Sequence, residues 1–427
     1  MFKNFIQKNL EKKVKQYFTR HPEVKLVVVA GSIGKTSTKV AIATVLSQQY
    51  RVRLHEGNHN THLSAPLAIL GIEYPDNVKS VGAWVSVIRA ARRRVKQPAD
   101  VDVIVQELGI DQPGDMAVFG RYLLPDVAVV TAVTAEHMET FKTMEVVARE
   151  ELSVADFSKR VIINRDDIEG RHAAYLTNSN IVTYGTSGIA EYRFIDEDFE
   201  LESGHTGLLV TPELPDGISA TINVLGEHNL RPAIGAAAVA MKFGMQSEAI
   251  VSGLAQIKAV PGRMNVMRGV QNSMLIDDTY NSSPLAAASA LQTLYSLQVP
   301  QRIAVLGSMN ELGDISAEEH QKLGKLCDPN QLAWVITVGE EAEKYLAPAA
   351  RAQGCQVQSF RSALDAGAFV HKVIDTGAAV LFKGSQGDVY TEEALKVVLH
   401  STDDDKLLVR QSKTWLERKA AFFSKFS

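Results

Sequence analysis

The sequence predicts an α/β chain of two principal domains: a doubly wound parallel sheet carrying a β insertion, then a C-terminal Rossmann-like α/β domain. Three observations carry that reading. From residue 25 onward, short continuous apolar runs alternate with helical patterns, as expected of parallel strands buried on both faces. Between roughly 180 and 225 the chain turns polar and alternating. A second apolar series starts after Pro261-Gly262-Arg263. A length of 427 residues suits two or three domains at about 100–200 residues each. The expected divisions are 1–24, 25–260 and 261–427.

In chain order, residues 2–18 place Phe2, Phe5, Ile6, Leu10, Val14, Tyr17 and Phe18 on one helical stripe, with lysines opposite. Two expectations follow: a helix docked on the next domain, or a basic amphipathic helix touching an anionic membrane surface. His21-Pro22 ends this segment, because proline disfavours helix in the residue before it. Leu26–Ala30 reads as a fully buried strand, followed by strands at Val101–Val105, Val127–Val133 and Val161–Asn164. The alternation in Tyr192–Glu202 and Gly207–Thr211 predicts an antiparallel β insertion. The second series places strands at Met274–Ile276, Arg302–Leu306, Trp334–Val338 and Ala378–Phe382. Thr414–Phe426 reads as a short basic amphipathic helix that packs on the fold.

Composition removes several classes. The formal net charge of -4 excludes a globally basic nucleic-acid binder and a highly charged disordered chain. Two cysteines, Cys327 and Cys355, exclude a disulfide framework and a cysteine-rich zinc module. They suit a reducing compartment, and a cytoplasmic location is expected. No apolar run reaches the roughly 18 residues of a membrane span, and lysines punctuate the N-terminus where a signal peptide would be apolar.

The strongest chemical signal is Gly31-Ser32-Ile33-Gly34-Lys35-Thr36-Ser37, between the first buried strand and a helical run. Glycines let the backbone wrap a phosphate, and the amides and helix N-terminus supply positive potential. Lys35 would reach the terminal phosphates of ATP, and the Thr36 hydroxyl would ligate Mg²⁺. The full Walker pattern asks for glycine where Val29 stands, so this is a shortened P-loop. The competing reading is an ordinary strand–turn–helix junction. With the P-loop, the first domain becomes a P-loop doubly wound central ATPase domain.

Further segments fall in a consistent order: Gly57-Asn58-His59-Asn60 with Pro66-Leu67, Val105–Gly109, Thr134–His137, Gly226–Asn229 and Pro261–Arg263. Ile276–Pro284, Leu306–Gly313 with His320, and Phe382–Ser385 follow. Together they resemble the Mur ligase family over about residues 25–395. Within it they resemble the branch that adds D-alanyl-D-alanine to a UDP-muramoyl tripeptide. The resemblance implies an ATP-dependent carboxylate–amine ligation through an acyl phosphate, serving peptidoglycan synthesis. It assigns catalysis to Lys35, Glu107, His137 and Arg263. Nucleotide contact falls to Gly31, Ser32, Gly34, Lys35, Thr36, Ser37, His228, Asn229, Arg263, Asp277 and Asp278. Mg²⁺ falls to Thr36, Glu107, His137 and Glu151. Substrate contact falls to Asn58, Asn60, Tyr280, Asn281, Glu311, Lys383 and Ser385. Arg263 is expected to meet the phosphates only when the C-terminal domain closes. Without the family pattern, His137 would read as a satisfied core or surface histidine, and Asp277 and Asp278 as the end of a strand.

The chain also departs from the family's pattern. About 24 residues precede the first strand, too few for a UDP-sugar-binding domain. The acceptor, a small molecule or a muropeptide, is then expected to be held by a partner protein, by the short helix, or without UDP. In Ala148-Arg149-Glu150-Glu151, Glu151 stands where the family carries a carbamylated lysine. It either replaces that group at the metal or marks loss of a second metal. Gln386 replaces an arginine, Ser64 a glycine and His62 an acidic residue. Arg89, Arg92, Arg93, Arg94 and Lys96 in Trp84–Lys96 form either a solvated helix face or a surface for an anionic sugar-phosphate or membrane. The alternatives to the main reading are a family relative acting on a poly-γ-glutamate, folate, cyanophycin-like or lipid-linked acceptor, and a catalytically silent nucleotide-binding scaffold.

Overall fold

A computed structural model describes residues 2–426 except 56, 58, 76 and 386. The chain forms two compact units: Met1–Thr134, Thr140–Val224 and Asn229–Lys258 make the first, and Ala135–Glu139, Leu225–His228 and Ala259–Ser427 the second.

The first unit opens with helix α1 (Phe2–Arg20), whose Ile6, Leu10, Val14 and Tyr17 are buried. The helix packs on the protein's own α3 and α4, as a docked helix requires, but Phe2 and Phe5 of the expected stripe are exposed and Phe18 is half-buried. Strand β1 (Lys25–Ala30) is buried from Leu26 onward. Helix α2 (Lys35–Leu46), β2 (Val52–Leu54), α3 (Ala65–Leu70), α4 (Val81–Lys96) and β3 (Val103–Glu107) follow. Then come α5 (Asp115–Gly120), β4 (Val127–Val130), the short α6 (Met138–Phe141), α7 (Met144–Leu152), β5 (Val161–Asn164) and β6 (Ile181–Gly185). Strands β7 (Tyr192–Glu200), β8 (Gly204–Thr211) and β9 (Leu214–Ile222) lead to α8 (Leu230–Lys242) and α9 (Ser247–Ala255).

The nine strands form one sheet in the order β2-β3-β1-β4-β5-β6-β7-β8-β9. Pairing is parallel from β2 to β7 and antiparallel across β7, β8 and β9. The expected antiparallel segment therefore begins at Tyr192 rather than near 180, and it prolongs the central sheet instead of standing apart from it. Apolar side chains of β1, β3 and β4 pack with Ala41, Ile42, Val45 and Leu46 of α2 and with the alanine-rich face of α8. Strand β1 lies between β3 and β4, so the chain departs in opposite directions on its two sides. In an open α/β sheet, that switch point is where ligands bind, beyond the carboxyl ends of the strands.

The second unit has a six-stranded sheet. Its elements are β10 (Asn265–Arg268), β11 (Met274–Asp278), α10 (Pro284–Ser296), β12 (Arg302–Gly307), α11 (Ser316–Lys325), β13 (Trp334–Val338) and α12 (Ala347–Ala352), then β14 (Val357–Phe360), α13 (Ala363–Val373), β15 (Ala379–Lys383), α14 (Thr391–Val397) and α15 (Lys413–Phe423). The order is β10-β11-β15-β12-β13-β14, parallel throughout except for the β10 edge. Leu275, Val305, Ile336, Val380 and Phe382 form its core, and Cys327 and Cys355 are buried as unbridged thiols. Among the described residues, no helix is long and apolar enough to cross a membrane.

Candidate active site

The loop leaving β1 is built around two glycines. Gly31 has φ +124°, and a Cβ there would stand 2.2 Å from Thr131 Oγ1 and 2.8 Å from the Ala132 amide. Gly34 has φ +79° and caps α2 in the left-handed region. Both positions require glycine: the first for close approach of β4, the second for the turn into the helix. The loop is fastened by the 131–134 segment and by Glu151. Ser32 N donates to Ala132 O at 2.9 Å, and Thr134 N donates to Ser32 Oγ at 3.1 Å. Thr131 Oγ1 lies 2.5 Å from Ile33 O. Gly31 N donates to Glu151 Oε2 at 2.7 Å, and Glu151 is only 2% exposed. The Lys35 ammonium folds back over this loop, donating to Gly31 O and, at 3.2 Å, to Ser32 O. Ser37 lies in the first turn of α2, half-buried.

One hydrogen bond away stands a buried polar cluster. Glu107, the last residue of β3, accepts from Thr36 Oγ1 (2.9 Å) on one oxygen and from Asn60 Nδ2 (2.9 Å) on the other. Lys39 Nζ lies 3.6 Å from Glu107, with the two side chains 5% and 4% exposed. Lys39 also donates to the carbonyls of Gly57 (3.0 Å) and His55 (3.3 Å), tying the 55–60 loop to α2. Gly109 lets Asn60 approach, since a Cβ there would meet Asn60 Cγ at 2.8 Å. Lys39 and Thr131 escaped the sequence reading. A lysine four residues after Lys35, on the face of α2 that buries Ile42 and Leu46, was the available signal.

Hydroxyl and carboxylate oxygens held this close suit Mg²⁺, which takes one or two protein oxygens and completes its shell with water and phosphate. Among the described residues there is no group of three or more His, Cys, Asp or Glu side chains that could hold a metal by itself. An ion shared with nucleotide phosphates needs no such cage. The donor set and the glycine cradle therefore fit Mg²⁺ and a nucleotide.

The structure groups the other residues differently. His137 (φ +50°) lies in the second unit's set and pairs with Glu311, Nδ1 to carboxylate 2.8 Å. That hydrogen bond holds the Glu311 carboxyl below its ordinary range. Glu311 is itself left-handed, at φ +66°. His228 faces Thr293 Oγ1 at 3.4 Å, and Asn229 stands at the start of α8.

In the second unit, three strand-end loops meet at β11, β15 and β12. Asp278 pairs with Lys383 at 2.9 Å, and Lys383 donates to the Asn281 carbonyl. Asn310 N donates to Ser385 Oγ at 3.3 Å. His320, fully buried, donates from Nδ1 to Ser316 O (2.8 Å) and accepts from Met309 N (2.9 Å), which fixes the 308–313 loop. Burial lowers its pKa, as the accepting nitrogen requires. Asp277 is fully buried; it accepts from Gly262 N (2.8 Å) and Thr279 Oγ1 (2.6 Å), and burial pushes its pKa up to about 6. The Tyr280 ring carries the Arg263 guanidinium at 4.5 Å, and Tyr280 N donates to Gly262 O. The expected Asn58 contact and the Gln386 departure lie outside the described residues.

A glycine-lined loop at the switch point of a doubly wound sheet, backed by a lysine and a threonine–glutamate pair, defines a P-loop nucleotide-binding protein. Two family descriptions match the chain: "Mur ligase middle domain" over residues 29–240 and "Mur ligase, glutamate ligase domain" over residues 262–386. The chain belongs to the Mur ligase family, whose members are ATP-dependent, ADP-forming amide ligases. It is 28% identical over 384 residues to the UDP-N-acetylmuramoyl-tripeptide–D-alanyl-D-alanine ligase of Bacillus subtilis, covering 88% of this chain and 76% of that one. The Escherichia coli ligase of the same name is 28% identical over 322 residues, covering 74% of this chain and 65% of that one. In fold it is similar to MurF from Acinetobacter baumannii (TM-score 0.75, 22% identity, 90% of this chain and 79% of that one). It is also similar to the MurF ligase from Thermotoga maritima in complex with ADP (TM-score 0.73, 23% identity, 92% and 83%).

Proposed function

We propose that this protein joins D-alanyl-D-alanine, or a similar amine, to the carboxylate of a muropeptide precursor at the expense of ATP. The observation that carries the proposal is the Glu107 cluster: Thr36, which follows the P-loop lysine, and Asn60 converge on one buried carboxylate. The likeness to ligases bearing that activity supports the choice of substrate.

The acceptor carboxylate oxygen attacks the γ-phosphorus. The bond to ADP breaks, and an acyl phosphate forms. The amine then attacks the acyl carbon, phosphate departs, and the amine loses its proton. Two anions must meet in the first step, so neutralising charge is the main task. Lys35 exchanges the loop carbonyls for phosphate oxygens. Thr36 and Glu107 would hold Mg²⁺, which supplies further neutralisation when bound. Glu151 has the role of a brace, keeping the Gly31 amide and hence the loop in its phosphate-wrapping shape. Lys383, neutralised by Asp278, would present the second unit's loops to the incoming substrate.

Phosphate release by purified protein with ATP, Mg²⁺, muropeptide acceptors and D-alanyl-D-alanine tests the reaction. Release should require acceptor and amine together. Lys35→Ala should abolish it while thermal unfolding stays near wild type. Release that is indifferent to either substrate, or that survives in Lys35→Ala, overturns the proposal. Glutamyl and folate acceptors in the same screen separate this activity from that of other ligases of the family.

A further inference from the structure

We propose that the face formed by α1 and α4 docks on an anionic phospholipid bilayer. The proposal goes beyond the ligase reading and does not depend on it. Helix α1 carries six basic residues and one acid, Glu11, and α4 carries five basic residues and no acid. The two contacting helices thus hold a formal +10, and the rest of the chain must hold -14 to reach the total of -4. So uneven a division concentrates the positive potential on one face and leaves the remainder repelled by a negative surface.

Packing decides which side faces out. Ile6, Leu10, Val14 and Tyr17 of α1 are buried and the helix packs on the protein's own α3 and α4, so that side of it is closed to a membrane. Lys12, Lys15, Arg20, Arg92 and Lys96 are all exposed. A shallow groove between the helices is lined by Lys12, Lys15, Gln16, Thr19, Arg20 and Val95. Beside it, Lys13 has its pKa lowered by partial burial and by the crowding of Arg92, Lys12 and Lys96. Nearby acids are otherwise engaged: Asp100 takes Arg53 and Arg94, and Glu11 accepts from Gln7. An array of phosphates would relieve that like-charge crowding.

The choice of a bilayer over a nucleic acid rests on the apolar groups beside the cations. Phe2 (44%) and Phe5 (60%) are exposed on α1, and Val81 and Val85 on α4. Aromatic and aliphatic side chains next to lysines suit a headgroup boundary. The valines have nothing to match on a phosphate backbone.

The test is co-sedimentation of the full chain with vesicles of phosphatidylcholine alone, or with added phosphatidylglycerol. Binding should appear only with phosphatidylglycerol and weaken steeply with salt. It should be roughly tenfold weaker in the Lys12→Glu/Lys15→Glu/Lys96→Glu variant, because each cation near an anionic leaflet contributes. Phe5→Ser keeps the charge and should weaken binding less than the triple variant does. Circular dichroism and the thermal midpoint of each variant report its folding independently of the ligase reaction. If the triple variant fails to fold, the wild-type salt and lipid dependence decides alone. No binding to phosphatidylglycerol vesicles, equal binding to phosphatidylcholine, or tighter binding to a short DNA duplex than to the vesicles overturns the proposal.

Discussion

Asp277 shows how one residue carries both structure and pH response. Its carboxyl is fully buried at the end of β11, and burial pushes its pKa up to about 6 in spite of hydrogen bonds from Gly262 and Thr279. An acid whose pKa is raised on folding binds its proton more tightly in the native state. Its stabilising share is complete below the unfolded pKa near 3.8 and is lost as pH climbs to about 6. The loss is on the order of 2–3 kcal/mol by the usual conversion of 1.36 kcal/mol per pKa unit. Asp277→Asn should therefore flatten the stability–pH curve between about 4 and 6, read as thermal midpoints across that range. An unchanged slope would remove Asp277 from the account. Residues of this kind were legible as a motif, Asp277-Asp278-Thr279-Tyr280-Asn281, but their division of labour was not. Only the fold shows that Asp277 turns inward to hold Gly262 while Asp278 pairs with Lys383. Lys39 was invisible for a related reason. A lysine in a helix reads as solvated until the sheet behind it is known to end in Glu107.

At the scale of elements, the central parallel strands were the most readable. Their apolar runs are unbroken because both faces are covered, and β5 and β13 match the expected residues at both ends. The edge strands β2, β10 and β14 were missed: they are short, partly polar and only half-covered, so neither continuity nor alternation marks them. The C-terminal helix α15 packs as expected, with Phe422 and Phe423 against the buried Tyr390 ring, and an ion network that the sequence did not announce adds to that contact. Buried Glu392 accepts from Arg410 at 2.8 and 2.7 Å and lies 2.9 Å from Lys419, which also reaches Glu393 at 2.6 Å. Burial alone would raise the Glu392 pKa, but Arg410 and Lys419 hold it below the ordinary value. Arg410 also donates to the carbonyls of Thr279 (2.7 Å) and Tyr280 (3.0 Å), so the C-terminal strap latches the loop that follows β11. Removing one member of a buried ion pair leaves the other uncompensated, at a cost of about 3–5 kcal/mol. Arg410→Met should lower the thermal midpoint steeply, and Arg410→Met/Glu392→Gln should recover part of the loss. Strictly additive losses in that cycle would mean that the two groups are not coupled.

For the molecule as a whole, the order of motifs was readable because each occupies a strand end, where the fold tolerates few residue types. What the sequence could not reveal was which motifs share a unit. His137 lies in sequence between β4 and α7, yet the segment Ala135–Glu139 groups with the second unit and with Glu311. Each unit also has its own sheet and core, so a ligand of the P-loop acts first on the stability of the unit that holds it. A ligand that binds only the native state at a hundredfold its dissociation constant stabilises by about 2.7 kcal/mol. For a unit of this size that is roughly 5–11 °C in unfolding temperature. Calorimetry with Mg²⁺ and a non-hydrolysable ATP analogue should show a shift of that order. Lys35→Ala should remove it, and chelating the metal should diminish it through the loss of the ion at Thr36 and Glu107. A full shift in Lys35→Ala would mean that the nucleotide sits elsewhere. A full shift without metal would mean that the threonine–glutamate pair serves the loop's architecture alone.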